Sequence, residues 1–78
     1  PAKDHLNVNI NLTEAQKSVK FHIYDITGRL VMRFPERDLL EGENQMELNL
    51  DRKIAPGFYL LYLNNNTFEA GTKVIIGQ

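Results

Sequence analysis

The sequence predicts an all-β domain, an Ig-like or Greek-key β-sandwich of about seven short antiparallel strands. Three observations lead to this class. Apolar residues recur at every second position in several short runs, which is the period of a strand with one buried face. Turn residues follow one another at intervals of roughly 8–12 residues. No stretch shows the period of an amphipathic helix.

The composition fits one small globular domain. The chain has 78 residues, of which 42% are hydrophobic and 24% charged, so we expect a single domain over residues 1–78. A net charge of −1 provides no basic surface for nucleic acid. The absence of cysteine excludes disulfides and thiolate metal sites. The chain starts without an initiator methionine and ends shortly after its last predicted strand, so we expect a piece from the C-terminal end of a longer protein.

The first half of the chain predicts a strand and then a hairpin. Residues 5–12 alternate between apolar and polar side chains, which predicts a strand with a wet outer face. Residues 18–26 alternate in the same way after a polar connection. The inward residues of this second strand are Val19, Phe21 and Ile23. Residues 25–28 form a turn in which Gly28 supplies a positive φ, and residues 29–34 return as the partner strand.

The middle of the chain predicts a loop and a strand. Residues 35–43 begin with a proline and contain a glycine near their end, so we expect a loop. Within it, Leu39 and Leu40 are expected to tuck under one end of the sandwich. Residues 45–50 alternate again and predict a strand. Its inward residues are Met46, Leu48 and Leu50.

The most hydrophobic strand begins at a corner within residues 54–63. Pro56 fixes its own φ and lacks an N–H donor, and Gly57 can adopt angles that a side chain forbids. Tyr59 follows at the spacing of a tyrosine corner, in which the phenol bonds to the backbone just upstream. The residues expected to face the core are Tyr59, Leu61 and Leu63. The residues expected on the other face are Phe58, Leu60 and Tyr62.

The end of the chain predicts a turn at Ala70 and Gly71 and a last strand over residues 72–76. An edge strand with free backbone groups can be extended by a strand of a partner protein. Lys73 in this strand is either part of such a contact or a charge that protects the edge.

Aromatic and aliphatic side chains predict a second candidate binding surface. If their strands are neighbours, Tyr24, Phe58, Leu60 and Tyr62 form an apolar patch on the outer face of one sheet. Such patches mark partner sites when they are exposed. The alternative is that another strand or loop covers them.

A search for catalytic chemistry finds no motif. His5 and His22 fall on outer faces without further ligands at matched spacing. Asp25 beside a turn glycine is expected to stabilise the turn rather than to act in catalysis. The acidic residues around the predicted loop lack the spacing of a calcium-binding loop. We therefore expect no enzyme, no metal, no cofactor and no small-molecule substrate.

Three blocks, in order, resemble one known family. They read FHIYDITGRLV at residues 21–31, IAPGFYLLYL at residues 54–63 and TKVII at residues 72–76. Together they are similar to the C-terminal sorting domain of cargo proteins of the type IX secretion system, in which such a hairpin, Gly-x-Tyr strand and closing strand recur. The opening residues 1–8 resemble the end of the family's entry segment.

The resemblance implies a secretion signal that is itself folded and has no catalytic role. Such a domain takes its cargo across the outer membrane of a Gram-negative bacterium, where the translocon recognises it and a sortase cleaves upstream of residue 1 and attaches the cargo to the surface. The recurrent positions fall on Gly28, Gly57, Tyr59 and Lys73. We expect Gly28, Pro56, Gly57 and Tyr59 to hold the fold. We expect the translocon to recognise the last strand, formed by Thr72, Lys73, Val74, Ile75 and Ile76.

Two other functions remain open from the sequence. One is a carbohydrate-binding or adhesive β-sandwich module whose exposed, coplanar aromatic rings stack on sugars. The other is an Ig-like structural spacer within a surface protein. The sequence does not fix the oligomeric state, nor whether the edge strand swaps between copies.

Overall fold

The computed structural model describes residues 4–51 and 53–77, and these residues form β-strands and turns without a helix. All six strands pair in an antiparallel manner. In chain order they are β1 (His5–Leu12), β2 (Gln16–Asp25), β3 (Leu30–Leu39), β4 (Gly42–Asn49), β5 (Gly57–Asn64) and β6 (Glu69–Ile76). The all-β class is confirmed, and the expected count of about seven strands is one too high.

The strands form two sheets of unequal width. One sheet has four strands in the order β3-β2-β5-β6, and the other consists of β1 and β4. The hairpins β2–β3 and β5–β6 lie side by side in the wide sheet because β2 pairs with β5. The chain therefore passes from one sheet to the other in the β1–β2, β3–β4 and β4–β5 connections, which lie outside these two hairpins. In the wide sheet, β3 and β6 are the two edge strands.

The core lies between the sheets and is built from the alternating positions of the strands. Phe21, Ile23 and Leu61 are fully buried, and Leu48 contributes from the narrow sheet. This confirms the predicted inner faces of β2, β4 and β5, because side chains of one strand point alternately to opposite sides of the sheet. The buried hydrophobic residues are Val8, Val19, Phe21, Ile23, Leu39, Leu48, Leu50, Tyr59, Leu61, Leu63 and Ile76.

The predicted loop over residues 35–43 is wrong, because β3 continues through Pro35 to Leu39. Proline is tolerated in this position because β3 is an edge strand, where a missing N–H need not break a ladder. The pairing of β2 with β3 also contains three register shifts, which interrupt the regular ladder of backbone hydrogen bonds. Leu39 is 2% exposed but Leu40 is 67% exposed, so only Leu39 joins the core.

The predicted turn at Ala70 and Gly71 is also wrong. Both residues lie within β6, and the turn precedes them, closed by a 3.0 Å hydrogen bond from Asn65 N to the Phe68 carbonyl oxygen. Gly71 lies beside β5, where the sheet leaves room for a small side chain in ordinary van der Waals contact. A Cβ atom there would lie 3.4 Å from Cδ1 of Leu60 and 3.8 Å from Cδ1 of Tyr62.

A buried asparagine that the sequence did not point to holds the short connection between β3 and β4. Asn44 accepts a hydrogen bond from Leu40 N (2.8 Å) and donates to the carbonyl oxygens of Leu40 (2.8 Å) and Ile10 (3.3 Å). The amide thus satisfies backbone groups on both sides of the connection and on β1, as burial requires. No local signal separates Asn44 from the polar residues around it.

Candidate functional site

The outer face of the wide sheet carries the predicted apolar residues. Tyr24 on β2 lies opposite Leu60 on β5, and Phe58 lies opposite Ile75 on β6. Phe58 is 53% exposed, Leu60 41% and Ile75 52%, so nothing in residues 4–51 and 53–77 covers them. Tyr24 is half-buried.

The predicted patch lacked two members of this surface, Leu30 and Ile75. By simple alternation along β3, Leu30, Met32 and Phe34 would share one face. A register shift between Ile23 and Tyr24 places Leu30 opposite Tyr24 on the outer face, whereas Met32 lies opposite Ile23 on the inner face. We call the resulting surface the outer patch, formed by Tyr24, Leu30, Phe58, Leu60, Tyr62 and Ile75.

Three rings meet at the centre of this sheet. The ring of His22 lies 6.0 Å from that of Tyr24 and 6.5 Å from that of Tyr62, between centroids. The rings of Tyr24 and Tyr62 are 6.3 Å apart and inclined by 65°, which is an edge-to-face arrangement. These two rings do not form the coplanar platform that the carbohydrate-binding hypothesis requires.

Two side-chain contacts tie β6 to β5 on the outer face. The ammonium of Lys73 lies 5.2 Å from the centroid of the Phe58 ring, within the range of a cation–π contact. The Tyr62 hydroxyl donates a 2.5 Å hydrogen bond to Glu69 Oε1. This bond, with smaller effects of burial and of the charge of Glu69, raises the pKa of Tyr62 above its ordinary value.

Burial divides the predicted recognition segment into two groups. Ile76 is buried and Val74 is half-buried, and both pack against the core. Thr72, Lys73 and Ile75 are exposed. The first group stabilises the strand, and the second is accessible to a partner.

The turn between β2 and β3 is built around Asp25. Its Oδ1 accepts hydrogen bonds from Thr27 N (2.9 Å), Thr27 Oγ1 (2.6 Å) and Arg29 N (3.0 Å). The hydrogen bond from the Thr27 side chain is the largest of the effects that lower the pKa of Asp25. Gly28 has a φ of 88°, which a side chain would strain. Asp25 therefore serves the turn.

The corner before β5 has the geometry expected from its sequence. The Tyr59 hydroxyl donates a 2.5 Å hydrogen bond to the carbonyl oxygen of Ala55, one residue before Pro56. Gly57, with a φ of 152°, links the proline to the strand. The buried ring of Tyr59 thereby fixes the direction in which β5 enters the sheet.

The two histidines lie apart from each other. His5 on β1 contacts Asp4 and Glu47, while His22 lies in the ring cluster. Burial, followed by the positive charges of Arg33 and Lys20, lowers the pKa of His22. Among residues 4–51 and 53–77, no group of three or more His, Cys, Asp or Glu side chains is arranged to hold a metal ion. The same part of the chain contains no helix long and apolar enough to cross a membrane.

A polar depression of about 590 Å³ lies at one end of the sandwich, lined mainly by residues 15–18 at the start of β2 and by residues 64–67. The polar side chains that line the depression form hydrogen bonds with one another and with the backbone. Asn65 Nδ2 donates to Gln16 Oε1 (3.1 Å) and to the Lys17 carbonyl oxygen (2.9 Å), and Thr67 Oγ1 also bonds Gln16 Oε1 (3.1 Å). These bonds join the β5–β6 turn to the start of β2.

Fold and surface together define the class of protein: a small β-sandwich module with an open edge strand beside an exposed apolar face. The chain matches the family of secretion system C-terminal sorting domains over residues 1–77. It belongs to this family, the C-terminal sorting domains of type IX secretion. Comparison with curated proteins and with solved structures gave no match.

Family membership confirms the resemblance found in the sequence. The domain is a sorting signal of type IX secretion, and its cargo is a secreted or cell-surface protein of a Gram-negative bacterium of the Bacteroidetes type. Its partners belong to the type IX secretion machinery. The structure adds the surfaces that are accessible to those partners.

Proposed function

We propose that this chain is a non-catalytic targeting module at the C-terminal end of a longer cargo protein. It directs that cargo to the type IX translocon in the outer membrane, for export from the periplasm and attachment to the cell surface by a sortase. The match to the family over residues 1–77 supports this assignment. The proposed mode of recognition rests on one observation: strand β6 is accessible at the edge of the wide sheet.

The exposed residues of β6 suit recognition by strand addition. β6 lies at the edge of the wide sheet and pairs with β5 along its whole length without a register shift. Its outer backbone groups therefore form a regular row that a partner strand can extend. Thr72, Lys73 and Ile75 supply side chains that distinguish the correct partner.

The outer patch extends this surface across the sheet. Ile75 lies opposite Phe58, and Lys73 lies opposite Leu60 while its ammonium contacts the Phe58 ring. A partner that adds a strand to β6 can thus also cover apolar side chains of β5. Exposed apolar patches of this kind mark protein interaction sites.

The test is export of a fluorescent reporter fused to this chain in a host that has the type IX system. Lys73→Ala combined with Ile75→Ser removes two exposed side chains and leaves the buried Ile76 in place. We expect this variant to fold and to accumulate in the periplasm. Lys20→Ala is the matched control, because Lys20 is an exposed lysine on the central strand β2, and it should be exported normally.

Removal of residues 72–78 is a poorer test, because it deletes Ile76 from the core and destabilises the domain. Normal export of the Lys73→Ala, Ile75→Ser variant would exclude recognition through these side chains. If no change on the outer patch or β6 affects transport while the domain remains folded, recognition does not use these two surfaces.

A further inference from the structure

Two buried side-chain atoms on the outer face of the wide sheet have no hydrogen-bond partner among the residues that the structure describes. They are Nδ1 of His22 and Oδ1 of Asn64. Such atoms are rare in native proteins, because an unpaired buried polar group costs free energy. His22 pairs with Tyr62 and Asn64 pairs with Lys20, so the two residues are diagonal neighbours on β2 and β5, about 7–8 Å apart. Two unpaired atoms this close on one face indicate a shared binding site.

Two positively charged side chains flank the ring of His22. Arg33 lies opposite His22 on β3, and Lys20 lies two residues before it on β2. Both are exposed, and neither forms an ion pair within the described part of the chain. Their charges lower the pKa of His22, after the larger effect of burial, so both charges act on the ring. An anion bound between them gains charge-assisted contacts from both sides.

Apolar surface begins in the next row of the sheet. Tyr24 follows His22 on the outer face, and the centroids of the two rings are 6.0 Å apart. Leu60 lies opposite Tyr24 and is accessible. Successive rows on one face are about 7 Å apart, because two residues of a strand span that length. The amide oxygen of Asn64, the ring nitrogen of His22 and the apolar surface therefore lie in three neighbouring rows.

From this arrangement we propose that the outer face binds the C-terminal carboxylate of a peptide whose last residue is apolar. The carboxylate lies between Arg33 and Lys20 and accepts a hydrogen bond from Nδ1 of His22, which carries a proton in the complex. The N–H of the last residue donates to Oδ1 of Asn64, and its side chain packs on Tyr24. Capture of a peptide carboxylate is a recurring mode of recognition.

A C-terminal residue suits this place better than an acidic side chain does. It carries the carboxylate, the N–H and the apolar side chain on one carbon atom, which suits the short distances between the rows. An aspartate or glutamate holds its carboxylate further from its N–H and brings no apolar group of its own. The site lies apart from the free backbone edge of β6, so the inference goes beyond the proposed sorting function and does not depend on it.

The test is an NMR titration of the isotopically labelled 78-residue chain with N-acetyl-L-phenylalanine. We expect saturable shifts at residues of the three rows, with a Kd on the order of 1 mM for a ligand of this size. N-acetyl-L-phenylalanine amide lacks the charge, and N-acetylglycine lacks the apolar side chain. Each should bind at least about tenfold more weakly. Equal binding of the acid and its amide would overturn the proposal.

Variants of the protein locate the contacts, with circular dichroism as the check that each is folded. Arg33→Gln removes one positive charge and should weaken binding of N-acetyl-L-phenylalanine about fivefold or more. Arg37→Gln is the matched control and should bind normally, because Arg37 is an exposed arginine of the same strand that lies opposite Val19. Asn64→Ala should weaken binding of N-acetyl-L-phenylalanine but not of hydrocinnamate, which has the carboxylate and the ring without the N–H. Normal binding by Arg33→Gln, or equal effects of Asn64→Ala on both ligands, contradicts the proposed contacts.

The pKa of His22 gives a readout that a merely structural role would not move. The titratable and charged side chains around its ring are Lys20, Tyr24, Arg33 and Tyr62, with Glu69 bonded to Tyr62 and Glu36 beside Lys20 in the polar depression. A carboxylate bound beside the ring stabilises the imidazolium, so saturating N-acetyl-L-phenylalanine should raise the pKa of His22. The ring of His5 on the narrow sheet is the internal control and should not respond to the ligand.

Two results of these titrations would show that solvent alone satisfies the two unpaired atoms. One is the absence of saturable shifts, and the other is a pKa of His22 that the ligand leaves unchanged. Either result overturns the proposal. Neither bears on the proposed sorting function, because the assay involves no transport.

Discussion

At the residue scale, the Tyr59 hydroxyl connects the core to the corner that precedes β5. Its ring is buried, and its hydroxyl donates to the Ala55 carbonyl oxygen. Tyr59→Phe keeps the packing of the ring and removes this hydrogen bond. We expect the free energy of unfolding to fall by about 1 kcal/mol, the usual net value of one such bond. Urea denaturation measures the change.

Tyr62→Phe is the matched control for this prediction. Its hydroxyl donates to Glu69 at the surface of the sheet, where water can replace the lost partner. We expect a smaller loss of stability than for Tyr59→Phe. Equal losses in the two variants would show that the corner has no special role.

The Asp25 carboxylate makes the free energy of unfolding depend on pH in the acidic range. Its pKa is lowered in the folded state, chiefly by the hydrogen bond from the Thr27 side chain. The unfolded chain therefore binds more protons as the pH falls below the ordinary aspartate pKa of about 4. Asp25 contributes its full stabilisation above that value, and the contribution is lost as the pH falls through the lowered pKa.

The Asp25→Asn variant isolates this contribution. We expect it to be less stable than the wild type at neutral pH, and we expect the difference to shrink as the pH falls to about 2. Denaturation curves at a series of pH values measure both chains. A difference that does not change with pH would show that the ionised carboxylate is not what stabilises the turn.

Residues with local roles were predictable from the sequence. Asp25 and Gly28 lie within one turn, and Tyr59 reaches a carbonyl only four residues upstream, so a short window contains both partners. Asn44 was not predictable, because one of its partners is Ile10 on β1. That contact exists only after β1 and β4 have paired.

At the element scale, the boundary between β3 and β4 offers a matched pair of leucines. Leu39 ends β3 inside the core, and Leu40 is exposed in the connection. We expect Leu39→Ala to cost about 2–5 kcal/mol of unfolding free energy, as core leucines do. Leu40→Ala should change it by less than about 0.5 kcal/mol. Thermal or chemical denaturation of the two variants measures both values.

The two results are informative together. Similar losses for Leu39→Ala and Leu40→Ala would mean that both leucines are packed, as the sequence predicted. A large difference supports the extension of β3 to Leu39.

Strand centres were easier to predict than strand boundaries. The period of two identifies the inner faces of β2 and β5 directly, because it depends only on neighbouring residues. Pro35 and Gly71 were assigned to a loop and a turn, but each lies within an edge strand. Their tolerance there depends on the order of strands in the sheet, which the local sequence does not contain.

At the scale of the whole molecule, the two sheets are unequal in width, and this leaves one face of the wide sheet and its edge strand β6 uncovered. The narrow sheet covers the inner face of the wide one, while the outer face and β6 are left accessible. Four of the six outer-patch residues were predicted from alternation along β2 and β5. Leu30 was missed because a register shift reverses its face, and the lateral position of Ile75 beside Phe58 required the strand order.

The order of the strands also explains how one segment can both stabilise the domain and take part in the recognition that we propose. Alternate residues of β6 point to the core and to the solvent. Ile76 and Val74 hold the strand, while Lys73 and Ile75 remain accessible. A small domain can therefore display a recognition strand without an additional loop.

The measurement that tests the central claim most directly is export of a reporter that ends in this unmodified domain. The reporter should leave the cell in a host that has the type IX system and remain in the periplasm when that system is deleted. A reporter without the domain should stay inside in both hosts. Retention of the domain-bearing reporter in the competent host, with the domain folded, would contradict the account.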